Sequence, residues 1–315
     1  MAKLFHIGTL VGVNSTSDGY RTKGFKKVFD SVYFYDYRKK HKFNKLWTHI
    51  GDFKPDIIFI NKAELIPGWE IQKIKKRFPN IFVAYYYGDS PEDVKDYALL
   101  LGKQADVLLV PHFHKQSWNY CYNRGVKLII KYYPGTDLDV FKKMDKEIEY
   151  DIAFAGTRTD KCTNSALRYD LLTGLSEKYR VAVAGGGAWK DVDGLHYKGF
   201  CYGEELSEFY SKSKFILSID NNNTYAGISN RIMNALSCSV PVLMYYFEGY
   251  ESLGLKDGYN VIVFKDFQHL LLQIEMYMKS PDLCKSIGEN GRKLISEKHT
   301  YEHKALELKM IWEGH

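Results

Sequence analysis

The sequence predicts an α/β fold built from two successive Rossmann-like, doubly wound domains with parallel sheets. Three observations carry this expectation. The 315 residues exceed the length at which a single hydrophobic core remains the default. Apolar runs such as Asp56-Ile57-Ile58-Phe59-Ile60 are continuous rather than alternating, as in strands buried on both faces. Runs of this kind alternate with segments of helical spacing, stop at a break rich in turn residues, and then start again.

In the first half, strands are expected over residues 3–10, 32–37, 56–60, 81–87, 106–111 and 128–132. Helices are expected over 20–29, 70–78, 92–102 and 115–122. Pro134-Gly135 and the charged run 142–149 mark a linker around 134–148. The pattern resumes with strands at 150–155, 179–184, 215–219, 240–244 and 260–264. Helices at 165–178, 203–212 and 230–238 lie between them, and the tail from 267 onward is mostly helical. Domain bounds of 1–140 and 149–299 follow.

Hydrophobic content of 45% and charged content of 26% are those of an ordinary globular chain and exclude disorder. Aromatic residues reach 15%, including 25 tyrosines, whose apolar body and polar tip suit contacts with sugars or bases. The opening run is broken by His6 and is too short for a secretory or membrane-spanning segment, so a cytoplasmic protein without membrane insertion is expected. Five cysteines (Cys121, Cys162, Cys201, Cys238 and Cys284) are scattered without a CxxC pair, which argues against a disulfide framework and a zinc site. Charge is uneven. Residues 1–145 carry 24 Lys/Arg against 15 Asp/Glu, whereas residues 146–315 carry 20 against 23. A basic first half fits either a polyanionic partner or plain solubility.

Ligands of open parallel sheets bind beyond the carboxyl ends of the strands, so the loops there are the candidate site. Gly156-Thr157-Arg158, with Arg168 on the following helix, offers a close backbone approach and forked donors for phosphate oxygens. Gly185-Gly186-Gly187 would admit a flat ring, on which Trp189 could stack; the run lacks the GxGxxG spacing of a dinucleotide site. Ser229 or Asn230 can cap a helix whose positive end faces an anion, and Arg231 adds a formal charge in its first turn. Tyr246-Phe247-Glu248-Gly249-Tyr250-Glu251 follows another strand and could border the bound group.

The stretch SNRIMNALSCSVPVLMYYFEGYESLGLKDGYNVIVFKD (229–266) resembles the C-terminal domain of GT-B glycosyltransferases, and within them the CgeB-like, group 1 proteins of bacteria and phages. YYPGTDLDVFKK (132–143) and YYYGDSPED (85–93) resemble the interdomain segment and the acceptor-side loop of that fold. The resemblance implies a nucleotide-sugar donor held by the second domain and an acceptor held by the first. It also implies a last helix, 300–315, that returns to the N-terminal domain. By that likeness Gly156, Thr157, Arg158, Asn230 and Arg231 contact the donor diphosphate, and Gly185–Gly187 line the base. Retaining relatives carry two glutamates eight positions apart; here those positions hold Ala226 and Asn234. Asn234 retains hydrogen-bonding capacity toward a hydroxyl, while the stereochemical outcome stays open.

Cationic side chains and a helix amino end stabilise a departing diphosphate without a metal. Asp191-Val192-Asp193 has DxD spacing, yet sits in an acidic turn, so no metal and no cofactor is expected. An acceptor base would come from Asp18 or Asp89, both at strand carboxyl ends, with His112 and His114 as further candidates. The acceptor implied by the basic half is phosphate-rich, such as a hydroxymethylated base in phage DNA within the host cytoplasm. A nucleotide-sugar epimerase of the same form and a non-catalytic sugar- or nucleic-acid-binding protein are the alternatives.

Overall fold

The computed structural model describes residues 1–10, 15–39, 46–89, 94–112, 114–159, 163–220 and 227–315. Residues 12–14, Ser90-Pro91-Glu92, Cys162, Tyr225 and Ala226 lie outside the described residues. Contacts divide the chain into two units, Met1–Gly135 with Tyr301–His315, and Thr136–Thr300.

Unit 1 contains β1 (Lys3–Gly8), β2 (Ser31–Asp36), β3 (Ile57–Asn61), β4 (Phe82–Tyr86), β5 (Val107–Val110) and β6 (Ile129–Lys131), and α1 (Ser15–Val28), α2 (Leu46–Phe53), α3 (Gly68–Arg77), α4 (Asp96–Gln104) and α5 (Lys115–Tyr122). Unit 2 contains β7 (Tyr150–Ala155), β8 (Val181–Ala184), β9 (Leu195–Tyr197), β10 (Ser213–Ser218), β11 (Val242–Tyr245) and β12 (Ile262–Phe264). Its helices are α6 (Ser165–Ser176), α7 (Glu204–Ser211), α8 (Asn230–Ser237), α9 (Phe267–Met278) and α10 (Pro281–Lys298); α11 (Tyr301–Glu313) belongs to unit 1.

Both sheets are six-stranded, with orders β2-β1-β3-β4-β5-β6 and β12-β11-β10-β7-β8-β9, and every strand pair is parallel. Each sheet is therefore doubly wound. The strand order reverses between β1 and β3 in unit 1 and between β7 and β10 in unit 2. A crevice opens at such a reversal because the flanking loops leave toward opposite faces.

The continuous apolar runs have a direct cause. Successive side chains of a strand point to opposite faces, and here both faces are covered. In β3, Ile58 and Ile60 join a cluster with Leu46, Ile50, Ile71 and Ile74. Ile57 and Phe59 join another with Phe25, Phe29, Ala305 and Leu308. The second face thus needs α1 and α11 together. In unit 2, Ile152 and Phe154 pack with Leu171, Leu175 and Trp189. Sequence reading does not anticipate the eight-residue α2 or the three-residue β9.

The α1–α11 contact is close. A Cβ built on Gly24 would lie 2.6 Å from the backbone carbonyl of Tyr301, and the Tyr132 hydroxyl donates to the Lys304 carbonyl at 2.6 Å. Alanine at position 24 would raise helix propensity by roughly 1 kcal/mol. Backbone cannot yield as a flexible side chain does, so the clash outweighs that gain. Gly24→Ala should lower stability by about 1–3 kcal/mol, measured as a fall in both urea midpoint and Tm; an unchanged midpoint would show that the two helices separate freely.

Candidate functional site

The reversal point of unit 2 collects the residues that follow β7, β8 and β10. The central feature is the Ile219 carbonyl, one residue beyond β10. Arg168 donates to it from Nε at 3.1 Å and Nη2 at 2.6 Å, and Arg231 donates from Nη1 at 2.7 Å. Two guanidinium groups thus share one backbone oxygen. Both also lie against the Phe154 ring, 5.6 and 5.7 Å from its centroid. Arg168 is 1% exposed, and its Nη1 reaches the Thr157 carbonyl at 3.5 Å. It is therefore not a phosphate ligand, as its place after a glycine loop led us to expect; it ties the β7 loop to β10. Arg231 remains partly open at the first turn of α8.

The amino end of α8 is capped by Ser229 without a side-chain cap to its own helix. The Ser229 hydroxyl instead donates to Asp220 Oδ1, and its N–H donates to Oδ2 at 3.2 Å. Asp220 Oδ1 also stands 3.7 Å from Arg231 Nη1. Asn164 donates from Nδ2 to the Asp220 carbonyl at 2.9 Å. Asn234, one turn further along α8, accepts at Oδ1 from the Thr136 hydroxyl at 2.8 Å. Its Nδ2 group can still donate to a ligand.

The glycines of the β7 and β8 loops allow backbone to meet backbone. Gly185 (φ 133°) and Gly187 (φ 84°) occupy conformations that side chains disfavour. A Cβ on Gly185 would sit 2.4 Å from the Gly156 carbonyl oxygen, and one on Gly187 would sit 2.0 Å from that of Arg158. Arg158 N–H donates to the Gly186 carbonyl at 3.0 Å, closing the pair of loops. Arg158 keeps its guanidinium over Tyr169, 4.5 Å from the ring centroid, with one donor on the Ala188 carbonyl. Thr157 is exposed.

Trp189 requires a correction. It is 0% exposed, and its Nε1 donates to the Gly156 carbonyl at 2.8 Å. No ring can stack on it; its indole fills the core beneath the loops. An exposed aromatic here is Phe200, 54% exposed, whose ring would meet a Cβ on Gly186 at 2.9 Å. It stacks on Tyr202 with centroids 5.8 Å apart and planes at 12°. Phe200 follows a three-residue strand with no periodic signal, and nothing in the sequence separates it from the other aromatics. Asp191 closes a 3-10 turn (Ala188–Asp191), and both it and Asp193 face solvent. Tyr246 lies exposed beyond β11 under Lys265, 5.2 Å from its ring.

In unit 1, Asp18 and Asp89 part company. Asp18 is 0% exposed. Its Oδ2 accepts from the Thr9 N–H at 2.8 Å, and its Oδ1 accepts from Arg21 Nη1 at 2.8 Å and Asn61 Nδ2 at 2.7 Å. Burial pushes this carboxyl up, but His6, Arg21 and the Thr9 N–H outweigh it and hold the carboxyl below the ordinary range. A sealed, saturated, weakly basic carboxylate cannot take a proton from an acceptor hydroxyl. Asp18 therefore pins β1 to α1 and β3, contrary to the expectation of a base. Asp89 lies beyond β4, with its carboxylate 46% exposed and 3.3 Å from Lys62 Nζ. Lys62 and Ala63 take positive φ of 60° and 54° at the end of β3, an energetically costly turn of the kind that clusters at functional sites. His114 caps α5, accepting from the Ser117 N–H at 3.3 Å.

This arrangement, two doubly wound units with phosphate-type donors at a strand reversal, is the GT-B fold of glycosyltransferases. Sucrose-phosphate synthase from Thermosynechococcus elongatus superposes with TM-score 0.68 at 13% identity, covering 100% of this chain and 99% of that one. HepE of Anabaena in complex with UDP-glucose superposes with TM-score 0.71 at 12% identity, covering 100% of both chains. A glycosyltransferase from Rickettsia africae gives 0.66 at 11% identity, over 99% of this chain and 98% of that one. Residues 168–309 match the family described as glycosyl transferase-like. No curated protein matches the sequence. Among the described residues no helix is long and apolar enough to cross a membrane.

His112, just beyond β5, is 3% exposed, and neither ring nitrogen finds a hydrogen-bond partner among the described residues. Burial, with a smaller push from His114, lowers its pKa to about 4; burial also lowers that of His6. The unfolded chain binds these protons near pH 6.5, before the folded one does. Stability is therefore full above about pH 6.5 and is lost as pH falls toward 4, by roughly 3 kcal/mol for His112 alone. Urea melts at pH 7.5 and 4.5 should show this loss, and His112→Leu should flatten it; an unaltered slope would exclude His112 as its source.

Proposed function

We propose that the protein moves a sugar from a nucleotide-sugar donor to an acceptor hydroxyl. The observation that carries this reading is Arg231 at the amino end of α8, beside the reversal between β7 and β10. In the reaction the acceptor oxygen bonds to the anomeric carbon, and the bond from that carbon to the diphosphate breaks with its electrons on the phosphate. Arg231, the positive amino end of α8 and Arg158 neutralise that growing charge. No metal ion is needed for it, and turnover should survive a chelator. Phe200, over Gly186, supplies a face for the nucleobase, and the Asn234 amide can donate to a ribose hydroxyl. The UDP-glucose held by Anabaena HepE on the same fold supports a nucleotide sugar as donor.

Unit 1 is the acceptor side in this reading, and Asp89 is the base if the reaction inverts configuration. A panel of nucleotide sugars screened by thermal shift should reveal one that raises Tm, since a ligand bound only by the native state stabilises it by mass action. Arg231→Ala should abolish that shift and lower kcat/KM by on the order of a hundredfold while leaving the unliganded Tm nearly unchanged. Asp89→Asn should keep the shift and lose transfer. A panel without any stabilising member would count against the whole reading.

The excess of 24 Lys/Arg over 15 Asp/Glu in residues 1–145 favours a phosphate-rich acceptor such as a modified base in DNA. Against it, two cations at the carboxyl edge of this sheet are already matched, Lys62 with Asp89 and Arg38 with Glu64. A DNA acceptor requires affinity that falls steeply between 50 and 200 mM salt, by about a thousandfold for six phosphate contacts. Flat salt dependence in a duplex-binding titration removes DNA and leaves a neutral acceptor.

A further inference from the structure

A narrow crevice lies at the carboxyl ends of β10 and β11 beside the amino end of α8, lined among others by Ser218, Asp220, Ile232, Met244, Tyr245 and Phe247. It has room for little more than one water-sized group. Of these, Ile232, Met244 and Phe247 are almost fully buried, at 1%, 2% and 7% exposed. The Asp220 carboxylate is held rigidly, with one hydrogen bond from Ser229 on each oxygen. An ionised carboxylate offers about four acceptor sites and no donor, and among the described residues Ser229 takes two of them.

These features select a ligand group by elimination. A phosphate would meet the Asp220 carboxylate and a mainly apolar lining that holds no cation, and a nucleobase or whole sugar ring exceeds the crevice. A single hydroxyl fits, because it donates to the carboxylate while its carbon rests on Ile232, Met244 and Phe247. Its position is the second constraint. Asp220 Oδ1 lies 3.7 Å from Arg231 Nη1, so a group bonded to Asp220 sits within a sugar ring's reach of a diphosphate on Arg231. We propose that Asp220 reads a hydroxyl of the transferred sugar and thereby sets donor specificity. This rests on the donor reading above and adds to it a specificity residue that neither the glycine loops nor the α8 motif contains.

A site built around a hydroxyl donor discriminates strongly against a ligand lacking it, because the buried acceptor is then left unpaired. Calorimetric titration of wild type, Asp220→Asn and Asp220→Ala with UDP-glucose, GDP-mannose, UDP and GDP tests the assignment. Wild type should bind one nucleotide sugar at least about tenfold more tightly than its own nucleoside diphosphate. Both variants should erase that margin while keeping affinity for the nucleoside diphosphate within about twofold, which also shows that α8 remains in place. A margin that survives in the variants, a wild type without any margin, or a parallel loss of both affinities would overturn the assignment; the last result would make Asp220 a brace for Ser229. A wild type that binds none of the four would instead sink the donor reading itself.

Discussion

The chemistry assigned to unit 2 depends on one oxygen atom, the carbonyl of Ile219. Two arginines converge on it, and a buried guanidinium is tolerated only where its N–H groups are satisfied. Arg168 spends its donors inside the protein and so acts as a strut between the β7 loop and β10. Arg231 shares the same acceptor and is thereby oriented at the start of α8. Because the acceptor belongs to the main chain, its position is set by the pairing of β10 between β7 and β11. Charge at the candidate site is thus placed by sheet geometry rather than by flexible side chains.

The same logic explains the interlocked loops. Gly185 and Gly187 permit two stretches of backbone to pass within van der Waals distance, and Trp189 seals them from below with a hydrogen bond to Gly156. A rigid floor of this kind lets Phe200 and Arg158 present fixed faces to a ligand. Preorganisation spares a ligand the entropy of ordering loops on arrival.

Strand positions were legible because the apolar runs are continuous; 150–155 and 115–122 agree with β7 and α5 to the residue. Loops at strand ends were legible as site candidates because topology alone nominates them. Direction was not. Arg168, Trp189 and Asp18 all follow strands at suggestive spacing, yet each points inward, and a one-dimensional pattern carries no sign for that. Conversely Asp220 stands one residue past an expected strand and escaped notice because no glycine or arginine accompanied it. Asp89 shows the opposite case: its place after β4 was readable, whereas its pairing with Lys62 depends on a left-handed turn that no local residue type announces.

Unit 1 is assembled from the two far parts of the chain, since α11 covers the face of its sheet that α1 leaves open. During synthesis at about 5–20 residues per second, Phe59, Tyr132 and their neighbours must wait while Thr136–Thr300 is made, on the order of ten to thirty seconds. The interval leaves an oily surface uncovered on a nascent polypeptide, with a complete second module growing beside it. Ribosome-stalled or prematurely terminated products would therefore carry a finished unit 2 tethered to an unfinished unit 1, the natural quarry of a holdase chaperone.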